Sequence, residues 1–342
     1  TVASRFVQRL AAVAGKARWD LALDRGADYI ALARRLDEAE APTPVGRPAP
    51  RPPIEARPRQ LSVTEIEDLL RDPYTIYAKR VLDLAPLDDI DTPPGAADRG
   101  TLIHDSLAEY GNAFPKQLPG DPAQALTDIG ERHFKPLTDF PEVRAFWWPR
   151  FLRIAQWFVR FDAQRRAGLN DFGVEIGGRI EIPFGKETFT LTVRADRIEC
   201  LADGRYAILD YKTGAPPTEP QVRSGLSPQL TLEAAILRQG GFKGIPAGGS
   251  VKELLYVRLR GGAEPGEEIP ITFKEGTGTP DQHADSALAE LTKVLEQFSD
   301  PDKPYYSLLH PMWTTHYGTY DHLARVKEWS LTGGVSDGGD DE

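Results

Sequence analysis

Hydrophobic residues in this chain follow two different periods, and the change between them divides the sequence. Residues 1–40 carry apolar positions at helical spacing, such as Phe6 and Leu10. The same spacing returns in several later stretches, and Arg99–Tyr110 is predicted to be a short helix. From Gly173 the apolar positions recur at every second residue, which is typical of β-strands. The pattern therefore predicts mainly helices in the first half and a sheet after them.

Capping residues predict where the helices of the first half begin. Ser62 and Glu65 have the spacing of a capping box, in which each satisfies a backbone donor of the first turn. Asp72 and Pro73 then supply an N-cap and a first-turn proline for the next helix. A longer helix is predicted to begin after Pro149. Two more helices are predicted later in the chain: residues 227–239, and a helix that begins with the capping box at Thr279.

The segment that starts at Gly173 predicts an antiparallel meander of three strands. Its two turns contain Gly185 and Gly204, and apolar residues alternate with polar ones on either side of each turn. A fourth strand is predicted at Val251–Leu259. Strands enclosed by helices before and after them indicate the α/β class, as an α/β/α sandwich with a central mixed sheet and an N-terminal helical segment.

Composition suggests four segments. We expect residues 1–40 to be a helical segment of a preceding domain and the proline-rich residues 41–60 to be a linker. Residues 61–332 form the main domain, and the acidic residues 333–342 are expected to be disordered. Because the chain starts at Thr1 without a methionine, it is expected to be a fragment of a longer protein.

Length, charge and cysteine content narrow the class of protein. The 342 residues are 40% hydrophobic, and no apolar run approaches the ~20 residues that span a bilayer, so a cytoplasmic protein without membrane contact is expected. The formal net charge of −10 means that any binding of nucleic acid must use a local basic channel. Cys200 is the only cysteine, which excludes an intramolecular disulfide and a four-cysteine cluster made by this chain alone.

The stretch RADRIECLADGRYAILDYKTG carries the candidate chemistry. Asp210 and Lys212 are two residues apart on a strand and share one face. The turn before them folds the preceding strand back, which brings Asp196 near Asp210. The backbone carbonyl of Tyr211 adds a third oxygen. Hard oxygen ligands of this kind are typical of a Mg²⁺ site, and Mn²⁺ can replace Mg²⁺ there.

Such a site suits the hydrolysis of a phosphodiester. A bound cation activates water and neutralises developing charge, while Lys212 orients or deprotonates that water. His104, on an upstream helix, is predicted to be a metal ligand or a phosphate contact.

At these residues the sequence resembles the PD-(D/E)XK nuclease superfamily, and within it the RecB-like nucleases. The matching motifs are GTLIHDSLAEY, VRADRIE, ILDYKTG and SPQLTLEAAIL, in that order. The resemblance implies that His104, Asp196 and Asp210 bind metal, that Lys212 is catalytic, and that Gln229 supports the site or the DNA. It covers roughly residues 60–330.

The resemblance also implies a fold and an activity. The fold would be restriction-endonuclease-like, and the activity a Mg²⁺-dependent deoxyribonuclease, more specifically an exonuclease acting on single-stranded DNA or duplex ends. Glu175, near the start of the predicted meander, resembles a further acidic position of these enzymes.

Two further stretches, LSVTEIEDLLRDPYTIYAKRVLDLAPLD and YDHLARVKEWS, resemble the nuclease region of AddB subunits of bacterial AddAB helicase-nucleases. This resemblance implies a role in double-strand break repair and recombination beside an AddA-like helicase-nuclease subunit. Many such relatives hold an iron–sulfur cluster, but Asp72 stands where a cysteine is expected, so no cluster is predicted here. Glu233 replaces a tyrosine that commonly follows the glutamine.

Two alternatives remain open: a standalone RecB-like exonuclease, and a non-catalytic DNA-binding scaffold module of a repair complex. The arginines at positions 150, 153 and 160 are interpreted as a solvated helix face, with a DNA channel as the second interpretation. The remaining histidines are interpreted as structural: His133, His283, His310, His316 and His322.

Overall fold

The computed structural model describes residues 3–38, 45–87, 92–273, 278–308 and 318–330. The expected acidic tail at residues 333–342 lies outside these ranges, as do His310 and His316. The chain divides into two compact units, Thr1–Gly46 and Arg47–Glu342. Among the described residues, no helix is both long enough and apolar enough to cross a bilayer.

The first unit contains helices α1 (Arg5–Ala14) and α2 (Lys16–Asp37), so the helices predicted for this region are confirmed. Gly15 separates them with a φ of 75°, a conformation that glycine adopts without a Cβ clash. Neither helix contains a buried residue.

The second unit contains the remaining helices and one sheet. Its helices are α3 (Val63–Arg71), α4 (Pro73–Ile76), α5 (Ala96–Ala113), α6 (Pro122–His133), α7 (Pro141–Arg166), α8 (Glu219–Arg223), α9 (Gln229–Arg238), α10 (Pro280–Phe298) and α11 (Val326–Trp329). Its strands are β1 (Gln60–Ser62), β2 (Leu169–Phe184), β3 (Glu187–Leu201), β4 (Tyr206–Lys212), β5 (Val251–Leu259) and β6 (Gly266–Pro270).

The sheet is mixed. Strands β2, β3 and β4 pair antiparallel in sequence order, which confirms the predicted meander. Strand β1 runs parallel to the first half of β3, while β4 pairs with the second half of β3. Strand β5 is parallel to β4, and β6 closes the edge antiparallel to β5. The carboxyl ends of β4 and β5 therefore meet at one edge of the sheet.

Helices cover both faces of this sheet, so the predicted α/β/α sandwich is confirmed. One core lies under α3, α9 and α10, and the other under α5, α6 and α7. Successive side chains of β4 point into alternate cores. Ile208 belongs to the first core and Leu209 to the second, and both are fully buried. Burying one such side chain stabilises the fold by roughly 1.5–3 kcal/mol.

The helix starts agree only in part with the sequence. The capping box of Ser62 and Glu65 is confirmed at α3. Asp72 is the N-cap of α4 and Pro73 is its first residue, as predicted, but the Asp72 side chain makes no capping hydrogen bond. Instead the Asp72 carboxylate accepts hydrogen bonds from the hydroxyl of Thr75 at 2.7 Å and the N–H of Leu308 at 3.0 Å.

The helix predicted to begin after Pro149 instead begins at Pro141, and Pro149 lies inside α7. An internal proline removes one hydrogen bond of the helix. Apolar residues on both sides of it, Trp148 and Phe151, pack into the core beneath α7 and hold the helix together.

Residues 47–58, the later part of the proline-rich segment, lie within the second unit. The guanidinium of Arg57 is buried and donates hydrogen bonds to the carbonyls of Phe298, Asp300 and Pro301 at 2.7–2.9 Å. Prolines cannot donate backbone hydrogen bonds, and here this side chain joins the segment to the loop after α10 instead.

Candidate active site

Asp196 and Asp210 lie where β3 and β4 separate. The ladder between these strands ends at Arg197 and Leu209, so the two aspartates are the first residues beyond it, one on each strand. Beyond the ladder, the carboxylate of Asp196 takes the place of a strand partner. Its Oδ2 accepts a hydrogen bond from the backbone N–H of Tyr211 at 2.7 Å. Both carboxylates therefore reach one opening in the sheet.

Helices from both faces of the sheet reach this opening. Helix α5 brings His104 from one face, with Nδ1 3.5 Å from Oδ1 of Asp196. The His104 ring also packs edge-on against the ring of Tyr211, with centroids 6.0 Å apart. Helix α9 brings Gln229 from the other face. Both helix layers and the sheet therefore contribute polar side chains to this opening.

His104, Glu175 and Asp196 form a group that could hold a metal ion. Each offers one ligand atom, and these atoms lie within 4.8 Å of one another. Ligands on opposite sides of a Mg²⁺ ion are about 4 Å apart, so a single ion can bridge this group. An ion pair of 2.5 Å joins Glu175 to the exposed Arg194.

Glu175 reaches the group through an unusual backbone. Its strand neighbours Val174 and Ile176 pair with Arg197 and Ala195, which places Glu175 opposite Asp196. Its φ is 51°, in the left-handed region that a residue with a Cβ seldom adopts. Backbone of this kind costs roughly 1–3 kcal/mol and is concentrated at functional sites.

Asp210 and Lys212 form a second group beside the first. Nζ of Lys212 lies 2.8 Å from Oδ2 of Asp210 and donates to Oε1 of Gln229 at 3.0 Å. The amide nitrogen of Gln229 donates to Asp210 and, at 3.2 Å, to Oε1 of Glu233. Gln229 therefore joins the lysine, the aspartate and a buried glutamate in one network.

The electrostatics of the opening reflect crowded carboxylates. The pKa of Asp210 is raised to about 6, mainly by burial and also by the charge of Asp196, against the opposing effect of Lys212. Burial and the charge of Asp196 likewise raise the pKa of Glu175. The pKa of Glu233 is well above its ordinary value, through burial and then the charges of Asp210 and Asp196. Negative charge is thus in excess at this site.

The two basic side chains at the opening, His104 and Lys212, also have raised pKa values. Burial lowers the pKa of His104, but the hydrogen bond and charge of Asp196 outweigh this effect, and the net shift is upward. Burial also lowers the pKa of Lys212, and Asp210 more than offsets it. Both groups are therefore stabilised in their protonated forms by the carboxylates around them.

These residues fit a hard divalent cation. Carboxylate oxygens with one imidazole form a donor set that Mg²⁺ and Mn²⁺ accept. The buried Oδ2 of Asp210 has no hydrogen-bond partner of good geometry, although the Lys212 ammonium is close. A buried acceptor in this state is costly, and a cation would satisfy it.

The structure brings together His104, Asp196, Asp210, Lys212 and Gln229, which the sequence named. Tyr211 contributes its backbone N–H and its ring, and the predicted role of its carbonyl as a ligand stays a prediction. Of the other histidines, His133 pairs with Glu109 on the far side of α5 and α6, and His283 stacks on Phe273.

Sequence reasoning missed one acidic residue that faces the site. Burial raises the pKa of Glu67 on α3, while the charges of Arg71 and Lys212 lower it. Glu67 follows the capping-box residue Glu65 by two positions. Nothing in the helical pattern distinguishes it from other polar residues of α3.

Comparisons with known proteins agree with this geometry. A family model described as the PD-(D/E)XK nuclease superfamily matches residues 60–306, a range that contains every residue of the opening. An uncharacterised protein of Rickettsia bellii is 35% identical over 185 residues, and one of Rickettsia conorii is 36% identical over 190 residues. Each alignment covers 54% of this chain but only 22% and 23% of those proteins.

The chain therefore spans less than a quarter of the length of these curated relatives. Among solved structures, the crystal structure of SSO0001 aligns with a TM-score of 0.30 and 13% identity. That alignment covers 77% of this chain and 82% of the other. A structural similarity this low does not indicate the function of the chain.

Proposed function

The chain belongs to the PD-(D/E)XK nuclease superfamily, and we propose that it is a divalent-metal-dependent deoxyribonuclease. The reaction is the hydrolysis of phosphodiester bonds in DNA. One observation carries the proposal: the group His104, Glu175 and Asp196 lies beside the pair Asp210 and Lys212 at a single opening of the sheet.

The division of labour follows from the contacts. A bound Mg²⁺ or Mn²⁺ would polarise a phosphoryl oxygen and make water a better nucleophile. Lys212, kept as a cation by Asp210, neutralises charge on the phosphate and orients the water. Gln229 holds the Lys212 ammonium and the Asp210 carboxylate in one geometry. The backbone N–H of Tyr211 fixes Asp196, and its carbonyl is proposed as a further ligand.

We further propose that this nuclease acts as an exonuclease in double-strand break repair and recombination, with an AddA-like helicase-nuclease subunit as its partner. Support comes from the AddB-like stretches that begin at Leu61 and Tyr320. In the Rickettsia relatives the matching region is part of a much longer protein.

A cleavage assay tests the enzymatic proposal. Linear single-stranded and duplex DNA would be incubated with the protein and Mg²⁺ or Mn²⁺, with and without a chelator. Asp210→Ala should abolish cleavage, while Asp203→Ala, in the exposed turn between β3 and β4, should retain it. Unchanged cleavage by Asp210→Ala would refute the site. DNA binding without cleavage by the wild-type protein would favour a non-catalytic scaffold.

The partner proposal has its own measurement. Adding an AddA-like subunit should accelerate cleavage of duplex ends more than cleavage of short single strands, because a translocating helicase delivers a strand at high effective concentration. Equal rates with and without the partner would favour a standalone exonuclease.

A further inference from the structure

Helix α7 has an unusual charge composition for this chain. Between Val143 and Phe161 it carries four arginines and no aspartate or glutamate. The whole chain has 51 acidic residues and a formal net charge of −10. A solvated helix face in such a protein would normally mix charges of both signs, so this segment is a local basic region.

Three of its side chains share the outward face of α7. Phe146, Arg150 and Arg153 are spaced by four and three residues, which aligns them along one side of a helix. All three are exposed, and the Phe146 side chain is 71% exposed. Arg144 differs, because it is paired with Glu131 and lies over the ring of Trp148.

A further cation, Arg99 on α5, lies close to Arg150. Among the described residues, neither guanidinium has a carboxylate or other hydrogen-bond partner. Burial lowers the pKa of Arg99, and the charge of Arg150 lowers it further. Two neighbouring cations without a counter-charge are an arrangement that an anion would stabilise.

Contacts place these arginines at the rim of the candidate active site. Arg99 is followed by Gly100, where a Cβ would lie only 3.3 Å from Oγ1 of Thr213, the residue after Lys212. Helix α7 meets the same edge of the sheet through the turn after β5. There the side chain of Arg153 donates to the carbonyl of Gly261 at 2.7 Å.

The conformation of Gly261 shows how closely α7 approaches the turn after β5. Its φ is 65°, and a Cβ on it would lie 2.5 Å from the carbonyl oxygen of Arg150. The turn thus fixes the position of Arg150 relative to the end of β5. Since Lys212 on β4 pairs in register with Arg258 on β5, the same edge carries the catalytic lysine and this basic face.

We propose that Phe146, Arg150 and Arg153 of α7, together with Arg99 of α5, form a track that holds a single strand of DNA beside the active site. The arginines bind consecutive phosphates, and the exposed ring of Phe146 stacks on an unpaired base. The track rests on the proposed function, because it assigns the path of that enzyme's substrate. The aromatic residue favours a single strand over a duplex, whose bases are already stacked on each other.

Binding measurements at several salt concentrations test the track. Fluorescence anisotropy with a labelled oligothymidine of about 20 nucleotides, in chelator to prevent cleavage, gives the affinity between 50 and 200 mM salt. The double variant Arg99→Gln/Arg150→Gln should reduce the slope of log affinity against log salt by about 1.4, since each phosphate contact on a single strand contributes about 0.7. Phe146→Ala should weaken binding about tenfold with little change in slope.

Lys186→Gln, which removes one exposed positive charge outside the track, is the control. Lys186 lies in the turn between β2 and β3, eleven residues after Glu175, which is roughly 36 Å along an extended strand. This variant should bind single strands as the wild type does. Thermal melts of all variants verify that they are folded, and Arg150→Glu alone repeats the test at an exposed position.

The outcomes separate the track from the enzymatic proposal. If the wild type cleaves DNA and the double variant keeps its full salt slope, the track is wrong and the enzyme stands. If the variants weaken binding to duplex but not to single strands, the single-strand assignment is wrong. If the wild type binds with the expected slopes but never cleaves, the track stands and the nuclease proposal fails. Absence of any DNA binding overturns both.

Discussion

Glu175 lies directly opposite Asp196 across the β2–β3 ladder, and it does so with a φ of 51°. The strands pair on either side of this position, so the unusual backbone is confined to the residue that faces the site. A strained residue between two regular pairs is maintained only if the surrounding structure holds it. We interpret the strain as the means by which β2 contributes a carboxylate to the metal site.

We therefore expect Glu175→Gln to raise the Mn²⁺ concentration that gives half-maximal cleavage by at least about tenfold, the lower limit for losing a group that supports a metal site. Cleavage titrations with Mn²⁺ measure this effect. Glu181→Gln, an exposed position on the same strand, is the control and should have the wild-type midpoint. Equal midpoints for both variants would show that Glu175 does not act on the metal.

The buried Glu233 allows stability and activity to be separated. Its Oε1 accepts from the amide of Gln229, while its Oε2 has no hydrogen-bond partner. Glu233→Leu should raise the free energy of unfolding, by roughly 1–3 kcal/mol, because it removes a buried polar group that is incompletely paired. It should also lower kcat about tenfold, since Gln229 loses a contact that fixes its amide.

Glu233→Gln should restore kcat, because its side-chain oxygen still accepts from Gln229. The KM for DNA should be similar in all three proteins. Denaturant unfolding and steady-state kinetics on the same preparations test this pair of effects. A leucine variant that loses stability and activity together would point to a purely structural role.

Cleavage should depend on the ionisation of Asp210. Its pKa of about 6 means that the carboxylate is mostly protonated below that pH and unable to bind a cation. At limiting Mn²⁺ the rate should fall as the pH drops through about 6. Raising the Mn²⁺ concentration should move this midpoint to lower pH, since metal and proton compete for the same oxygen. A pH profile that ignores the metal concentration would contradict the assignment.

The raised pKa of Asp210 also affects how the stability of the metal-free protein depends on pH. An ordinary aspartate has a pKa near 4, so between about pH 4 and 6 the folded chain keeps a proton that the unfolded chain has lost. This group therefore makes the metal-free protein less stable as the pH rises through that window. Added Mn²⁺ should raise the melting temperature at pH 7.5 more than at pH 5.

Some of the site follows from the sequence alone. The period of two placed Asp210 and Lys212 on one face, and the turn at Gly204 fixed which residues of β3 lie beside them. The sequence predicts His104 as a metal ligand or a phosphate contact, whereas Gln229 required the family resemblance. Their helices approach from opposite faces of the sheet, and a helical pattern does not specify where on the sheet a helix packs.

Other features could not be predicted from local signals. Pro149 suggested the start of a helix, but burial of its aromatic neighbours kept α7 continuous from Pro141. The positive φ of Glu175 arises from tertiary constraints, because its sequence neighbourhood reads as an ordinary strand. Glu67 faces the site only because α3 packs beside α9.

A buried ion-pair network behind Asp196 leads to the last prediction. Arg197 is 1% exposed, and its guanidinium lies 2.7 Å from Asp162 on α7 and 2.7 Å from Glu199 on the same strand. Both carboxylates are fully buried, and each also contacts a second arginine of α7, Arg166 or Arg165. The network thus joins the helix that carries the basic face to the strand that carries Asp196.

Arg197→Met should lower the free energy of unfolding by about 3 kcal/mol, because it leaves buried carboxylates incompletely compensated. The value lies at the low end for breaking a buried pair, since Arg165 and Arg166 remain. Urea denaturation measures the loss, and Arg179→Met, in an exposed pair with Glu181, should change stability by less than about 1 kcal/mol. If both variants lower the free energy of unfolding by the same small amount, Arg165 and Arg166 suffice to neutralise Glu199 and Asp162. In that case Arg197 would be dispensable for the attachment of α7 to β3.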